Sequence, residues 1–426
     1  MRLNLPFDRE TTIEVEIPEE NLIQVVTPRY PKPKNQNDYD TIRHAINYPI
    51  RSPLLREMVG PQTKVAIVVT DITRFAHDKE ISEVVLRELE RGEVKKDNIF
   101  FLLALGSHRP MTSEEIEDKL GEEIVSSYPI FNHDCQDSNA LAYLGETEGG
   151  FPVFINKKLL EADLKITLGV IEPHLFAGYS GGVKTICVGL AGVETLNATH
   201  SLPVLSHSTT RLGVVKNNSF RNFLNQVAEK VGVDFTLNLV LNSEKRVVEA
   251  FAGHPIFAFE RAVAFAKHVF EVPVQEVADV VISCPGYPKS INLYQATRAA
   301  NSVVKGPKPV VKKGGKILIP ARCQNGLGEE SFYHLMSQFE DICNLREYIL
   351  REGFTVGEHK AFILSEILTH ASLIMTNCEI EKENLAQLFI ENRGSLAKAV
   401  KEILDENPKS RFLVLPQGIM TIPILK

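Results

Sequence analysis

No tryptophan occurs in the 426 residues, and no two cysteines form a C-x-x-C pair. Cys135, Cys187, Cys284, Cys323, Cys343 and Cys378 are scattered along the chain. That scatter excludes a zinc ribbon or a disulfide framework and favours buried thiols in a reducing cytoplasm. No apolar run approaches the ~20 residues needed to cross a bilayer. The start, MRLNLPFDRETTIEVEIPEE, lacks the basic-then-apolar design of a secretory signal. Positive charge is not in excess either. A formal net charge of -7 and a pI near 6 argue against a general nucleic-acid binder, which would carry a basic face. No tandem repeat or low-complexity stretch is visible. The expectation is a cytoplasmic protein with no nucleic-acid or membrane partner, homo-oligomerisation being left open.

What is present is a repeated pattern of strand, polar loop and helix. Thr12 to Ile17 and Leu22 to Val26 read as strands, and Thr41 to Asn47 and Leu54 to Val59 as short helices between prolines. Val65 to Thr70 (VAIVVT) is continuous and β-branched, as in a strand covered on both faces. A helix follows over Lys79 to Arg91. Ile99 to Leu105 and Leu164 to Val170 repeat the strand, and Thr112 with Glu115 predicts a capping box between them. Phe235 to Leu241, a helix over Pro255 to Val269, and strands at Ala278 to Ser283, Gly315 to Pro320, Leu373 to Thr376 and Arg411 to Pro416 complete the set. This alternation predicts an α/β fold of two domains with mostly parallel, Rossmann-like sheets flanked by helices. The length is too great for one small core. A linker at Val272 to Gln275, containing Pro273, divides the chain into 1–272 and 273–426. The first would bind a cofactor and carry the chemistry, and the second would close over the crevice between them.

In open α/β sheets, ligands sit at the carboxyl ends of strands. Three such ends carry charged or titratable residues. Asp71-Ile72-Thr73-Arg74 follows the first strand, where Arg74 could grip a carboxylate or belong to a surface ion pair. Gly106-Ser107-His108-Arg109 follows the second, and His108 is placed for general acid/base work or for a cap. The stretch Ile171 to His200 follows the third, with His174, Tyr179, Ser180, Gly181, Gly182, Lys184 and His200. Its glycines could let backbone amides approach a phosphate, and Lys184 adds a point charge or a nucleophilic amine. Val183 stands between glycine and Lys184-Thr185, so the spacing is wrong for a nucleotide triphosphatase loop. His133, His207 and His254 are read as structural. In the second half, Gln295 and Arg298 share one helix face after a loop from Gly286.

Together these motifs resemble the nickel-dependent lactate racemase family of 2-hydroxy acid racemases and epimerases. The resemblance rests on Asp71 to Arg74, Gly106 to Thr112, Glu172 through Lys184, His200, Tyr294-Gln295-Ala296 and Leu415-Pro416-Gln417-Gly418, spread over nearly the whole chain. It implies inversion of C2 by reversible hydride transfer to a nickel-pincer nucleotide, a pyridinium-3-thioamide-5-thiocarboxylic acid mononucleotide. It further implies a small 2-hydroxy acid substrate and cofactor-maturation proteins as partners. His200 matches the protein ligand to nickel, Lys184 the lysine that tethers the cofactor, and His108 and His174 the acid/base pair. Arg74 matches the substrate-holding arginine and Asp71 a polar neighbour. Arg298 stands where many members have lysine, Ser290 where aspartate is common, and no tryptophan is available near Gly357 to Lys360, which weakens the assignment to lactate itself and leaves the racemase chemistry intact. Two other readings stay open: a phosphotransferase using the glycine loop before Lys184, and a non-catalytic sensor of metal or nucleotide.

Overall fold

The computed structural model describes residues 1–426. Two six-stranded sheets form its frame. The first runs Val247–Gly253, Phe235–Leu241, Leu164–Val170, Val65–Thr70, Ile99–Ala104, Ile130–Asn132, and is parallel except for its first pair. Val65–Thr70 buries its first five residues, which explains a run with no polar alternation. The chain moves outward from that strand to Ile130–Asn132, then returns to its other side at Leu164–Val170. Strand order therefore reverses beside Val65–Thr70.

The second sheet runs Glu391–Asn392, Ser372–Thr376, Val311–Pro320, Ala278–Ser283, Phe412–Leu415, Leu22–Val25, and is wholly parallel. Its order reverses at Ala278–Ser283. One apolar core passes between the lobes, from Ile186 and Phe220 of the first to Ala296 and Ile363 of the second. The switch points of both sheets open onto the same crevice.

Local signals set the intervening helices. Thr112 Oγ1 accepts from the Glu115 amide at 3.2 Å, and the Glu115 carboxylate accepts from the Thr112 amide at 2.9 Å. This capping box starts helix Ser113–Leu120, and Gly121 ends it at φ 83°. The helix after Val65–Thr70 covers Asp78–Arg91, one residue longer than its pattern suggests.

Three expectations are corrected. Residues Leu22–Val25, read as part of the first domain, pair with Phe412–Leu415 at the edge of the second sheet. The hairpin Arg2–Pro6 with Thr12–Glu16, which precedes them in the chain, joins the same lobe, packing Leu5, Val15 and Ile17 against Val280, Ile282 and Val400. Strand pairing at this sequence distance leaves no local trace. The segment read as a linker at Val272 to Gln275 lies largely in a strand, Glu271–Val274, parallel to Ile422–Leu425. The helix expected at Leu54 to Val59 is a single 3-10 turn, Leu55–Glu57, held between Pro53 and Gly60.

Candidate active site

A cavity of about 950 Å³ lies in the crevice and is bordered by both lobes. From the first lobe, Asp71 and Arg74 leave the end of Val65–Thr70, and His108 leaves the end of Ile99–Ala104. The neighbouring parallel strands bring the two loops together. Asp71 Oδ1 accepts from the Thr73 hydroxyl at 2.7 Å and the Thr73 amide at 3.2 Å. Its Oδ2 accepts from His108 Nδ1. Burial alone would raise the Asp71 carboxyl, but hydrogen bonds from His108 and Thr73 and the charges of His108 and Arg74 outweigh it. The carboxyl is held below its ordinary range. A carboxylate on Nδ1 fixes the proton there and leaves the Nε2 lone pair of His108 free. Arg74 Nη1 donates to Glu172 at 3.3 Å.

The stretch after Leu164–Val170 folds back as a two-residue hairpin, Pro173–His174 against Gly178–Tyr179. His174 Nδ1 accepts from the amides of Phe176 and Ala177 at 3.3 and 3.2 Å, so the neutral ring carries its proton on Nε2. Burial, with Lys184, Arg74, Arg298 and Arg221 nearby, pushes its pKa well below the usual histidine value. Lys184 opens a four-residue helix, Lys184–Cys187. Burial and the charges of Arg74 and Arg221 pull its amine down to about 7. His200 ends helix Val193–Thr199, and its Nδ1 donates to the Leu196 carbonyl at 3.0 Å. Its Nε2 therefore keeps a lone pair, and burial lowers its pKa to about 4.

The second lobe supplies Lys289, Gln295, Arg298, His359 and Lys360. Asn292 caps the turn Leu293–Ala296, its Oδ1 accepting from the Gln295 amide at 2.9 Å. Arg298 Nη1 donates to Gln295 Oε1 at 3.1 Å. Burial and repulsion from Arg74 lower Arg298 to about 10. The His359 ring lies 5.3 Å from that of His200 and 5.8 Å from Phe176, so the second lobe roofs the site.

Not every candidate reaches the cavity. Tyr179 is fully buried with its hydroxyl 3.2 Å from Glu271, and Gly182 does not border the space. The Gly182 amide donates to Asn238 Oδ1 at 2.9 Å rather than offering itself to a phosphate. At Gly181, φ is +81°, and a Cβ would stand 2.5 Å from Ile171 and 2.6 Å from Asn238. These glycines answer to the tight return of the chain. Ser180 borders the cavity, but its hydroxyl donates to the Val170 carbonyl at 2.6 Å. His133 bonds to Ala191 and Asn156 inside the first lobe, and His254 caps helix Pro255–Phe270, both outside the site. Lys289, His359, Lys360, Thr70 and Asn301 border the cavity without having been singled out from the sequence. For Lys360 a signal existed: one cation near the start of the otherwise apolar run AFIL.

No group of three or more His, Cys, Asp or Glu side chains could by itself hold a metal ion. A metal delivered in an organic carrier needs less from the protein. One buried, neutral imidazole with a free Nε2, beside an unpaired amine lowered to about 7, fits such a carrier.

No helix is long and apolar enough to cross a membrane. Residues 8–213 match the family model described as lactate racemase N-terminal domain, and residues 274–423 match that of the lactate racemase C-terminal domain. The chain is 29% identical to the lactate racemase of Thermoanaerobacterium thermosaccharolyticum, covering 99% of this chain and 98% of that protein. It is also 29% identical to the lactate racemase of Lactiplantibacillus plantarum, over 99% of both. The lactate racemase apoprotein structure from T. thermosaccharolyticum superposes with a TM-score of 0.91 at 28% identity, covering both chains completely. A Thermotoga maritima protein at 20% identity shares the fold, with a TM-score of 0.70 over 93% of this chain and all of that one. The chain belongs to the lactate racemase family, and it is an isomerase.

Proposed function

We propose that the chain interconverts the two hands of a 2-hydroxy carboxylic acid through a planar 2-keto acid. Lactate is the acid named for its relatives. The family needs nickel, and here the nickel-pincer nucleotide would be held by Lys184 through a thioamide and by His200 Nε2. When bound, that cofactor supplies the acceptor that takes hydride from C2 and returns it to either face.

This chain's residues do the rest. Arg74 and Arg298, with Gln295, hold the substrate carboxylate. His108 Nε2 takes the hydroxyl proton, and Asp71 orients the ring and stabilises its imidazolium. His174 meets the other hand of substrate. At rest its Nε2–H donates to the substrate oxygen, as a neutral imidazole can. To accept the hydroxyl proton at Nε2, the ring must first carry its own proton on Nδ1 instead, which means giving up the contacts from Phe176 and Ala177. Glu172 keeps Arg74 extended toward the cavity. Roofing by His359 and Phe176 limits water around the keto acid. Tyr179, Ser180, Gly181 and Gly182 shape the loop that carries Lys184.

The observation that carries this reading is the meeting of His108, His174, Lys184 and His200 around one cavity. The glycine-loop phosphotransferase fares worse, because the Gly182 amide is already bonded to Asn238. The test uses cofactor-loaded enzyme and a trap for 2-keto acid. His108→Ala and His174→Ala should each stop interconversion, yet each should still release trapped keto acid from one hand of substrate, a different hand in each variant. Racemisation persisting in both variants would sink the assignment.

A further inference from the structure

Lys360 is 4% exposed, and its ammonium nitrogen has no hydrogen-bond partner. It occupies the second position of helix His359–Leu368, at the positive end of the helix dipole, where a cation is unwelcome and an anion is favoured. The acid on its own helix, Glu366, is taken by Lys305. What Lys360 does touch is the Tyr294 ring, 5.6 Å away. A buried cation without a partner is costly unless something supplies one. Lys360 borders the same cavity as the proposed carboxylate grip, with Arg298 beside it.

We propose that Lys360, at the start of its helix on the second lobe, forms an anion subsite that takes a second carboxylate, making the substrate a 2-hydroxy dicarboxylic acid. This rests on the racemase reading above and names its substrate class. Arg74 and Arg298 hold the carboxylate next to the reacting carbon. The far carboxylate reaches the roof, where Lys360 donates to it and the helix N-terminus adds to its field. A methyl group in that place would leave the Lys360 amine buried and unpaired, which is how a polar subsite rejects an apolar substrate. Asn301 Oδ1 and Thr70 Oγ1, buried at the wall without partners, are acceptors for the substrate's hydroxyl end rather than for an anion. Burial and Arg298 lower the Lys360 amine to about 7, so pairing with a carboxylate draws in a proton.

Two measurements test the subsite. Nickel-loaded enzyme is assayed by chiral chromatography on lactate, malate and gluconate. Malate should be preferred, and Lys360→Met should lower the malate-to-lactate ratio of kcat/KM by roughly 10- to 100-fold, chiefly through KM. Lys360→Gln guards against misfolding of the first variant. Calorimetry at pH 8 in two buffers, with unreactive succinate and propionate as probes, should show proton uptake with succinate in the wild type only. Preference for lactate or gluconate, or an unaltered ratio in both variants, overturns the subsite while leaving the racemase intact. Loss of cofactor loading in the variants, read by nickel content and mass, also overturns it by assigning Lys360 to the nucleotide phosphate. Failure of fully loaded enzyme to invert any acid would instead defeat the reading beneath it.

Discussion

The side chains of the cavity divide by what already engages them. Asp71 is engaged by three donors and His174 by two backbone amides, whereas Lys184 has no ion pair. Asp71→Asn should therefore act through His108 rather than through the fold. An amide in place of the carboxylate can present NH₂ to the ring and trap the wrong tautomer. The expected result is a fall in kcat of about 10²- to 10⁴-fold with KM and thermal stability little changed. A fall seen mainly in KM would contradict the positioning role. In cofactor-free protein, Lys184 should react near neutrality ahead of the surface lysines, as should Lys360, whose amine is lowered to a similar value. The Lys184 amine is lowered to about 7, so the free base is plentiful above that pH, while an exposed lysine near ~10.4 stays protonated. Cyanate labelling followed by mass spectrometry should show modification of Lys184 rising through pH 7 and levelling by about pH 8. Labelling that tracks the surface lysines would refute this. Much of this site was legible, because Asp71, His108 and His174 each follow an unmistakable buried strand. Lys360 left only a faint sign, a cation before the apolar run AFIL, because its significance is that nothing pairs with it, and partners across space leave no spacing.

At the scale of elements, the hairpin and short helices from Pro173 to Thr199 hold His174, Lys184 and His200 on the end of one strand. The glycines in it looked like a phosphate cradle, since positive φ and close approach serve a ligand and a tight fold alike. Only the neighbours separate the two uses, and at Gly182 the neighbour is Asn238. Gly181→Ala should thus cost stability. A side chain at φ +81° is strained by roughly 1–3 kcal/mol, and the contacts with Ile171 and Asn238 add to that. Urea unfolding should show a lower midpoint, with any loss of activity following the loss of folded protein. An alanine variant of wild-type stability that had lost only cofactor loading would restore the cradle reading. The inner strands were readable almost to the residue, as Leu164–Val170 and Ala278–Ser283 show, whereas the edge strands Ile130–Asn132 and Val247–Gly253 were not read at all. The continuous apolar runs of the inner strands permit little else.

For the whole molecule, the two halves of the sequence are not two independent bodies. The second sheet takes its outermost strand from Leu22–Val25, and Asn21 Nδ2 donates to the carbonyls of Pro408 and Ser410 at 2.8 and 2.9 Å. A fragment of residues 273–426 alone would present Phe412–Leu415 as a bare apolar edge. It should be insoluble, and co-expression with residues 1–40 should improve its recovery. A soluble, cooperatively melting 273–426 fragment would show that the borrowed strand is dispensable. This pairing was invisible in sequence, where a short strand near the start gives no hint of which sheet will accept it.

The borrowed strand also imposes a wait during synthesis. Asn21 leaves the ribosome 387 residues before Pro408, its partner in the finished protein. At ~5–20 residues per second, that interval is roughly 20 to 80 s. Throughout it, an unpaired β-segment and the apolar hairpin before it must be shielded from every other chain in the cell. Crowded overexpression is where that shielding should fail first.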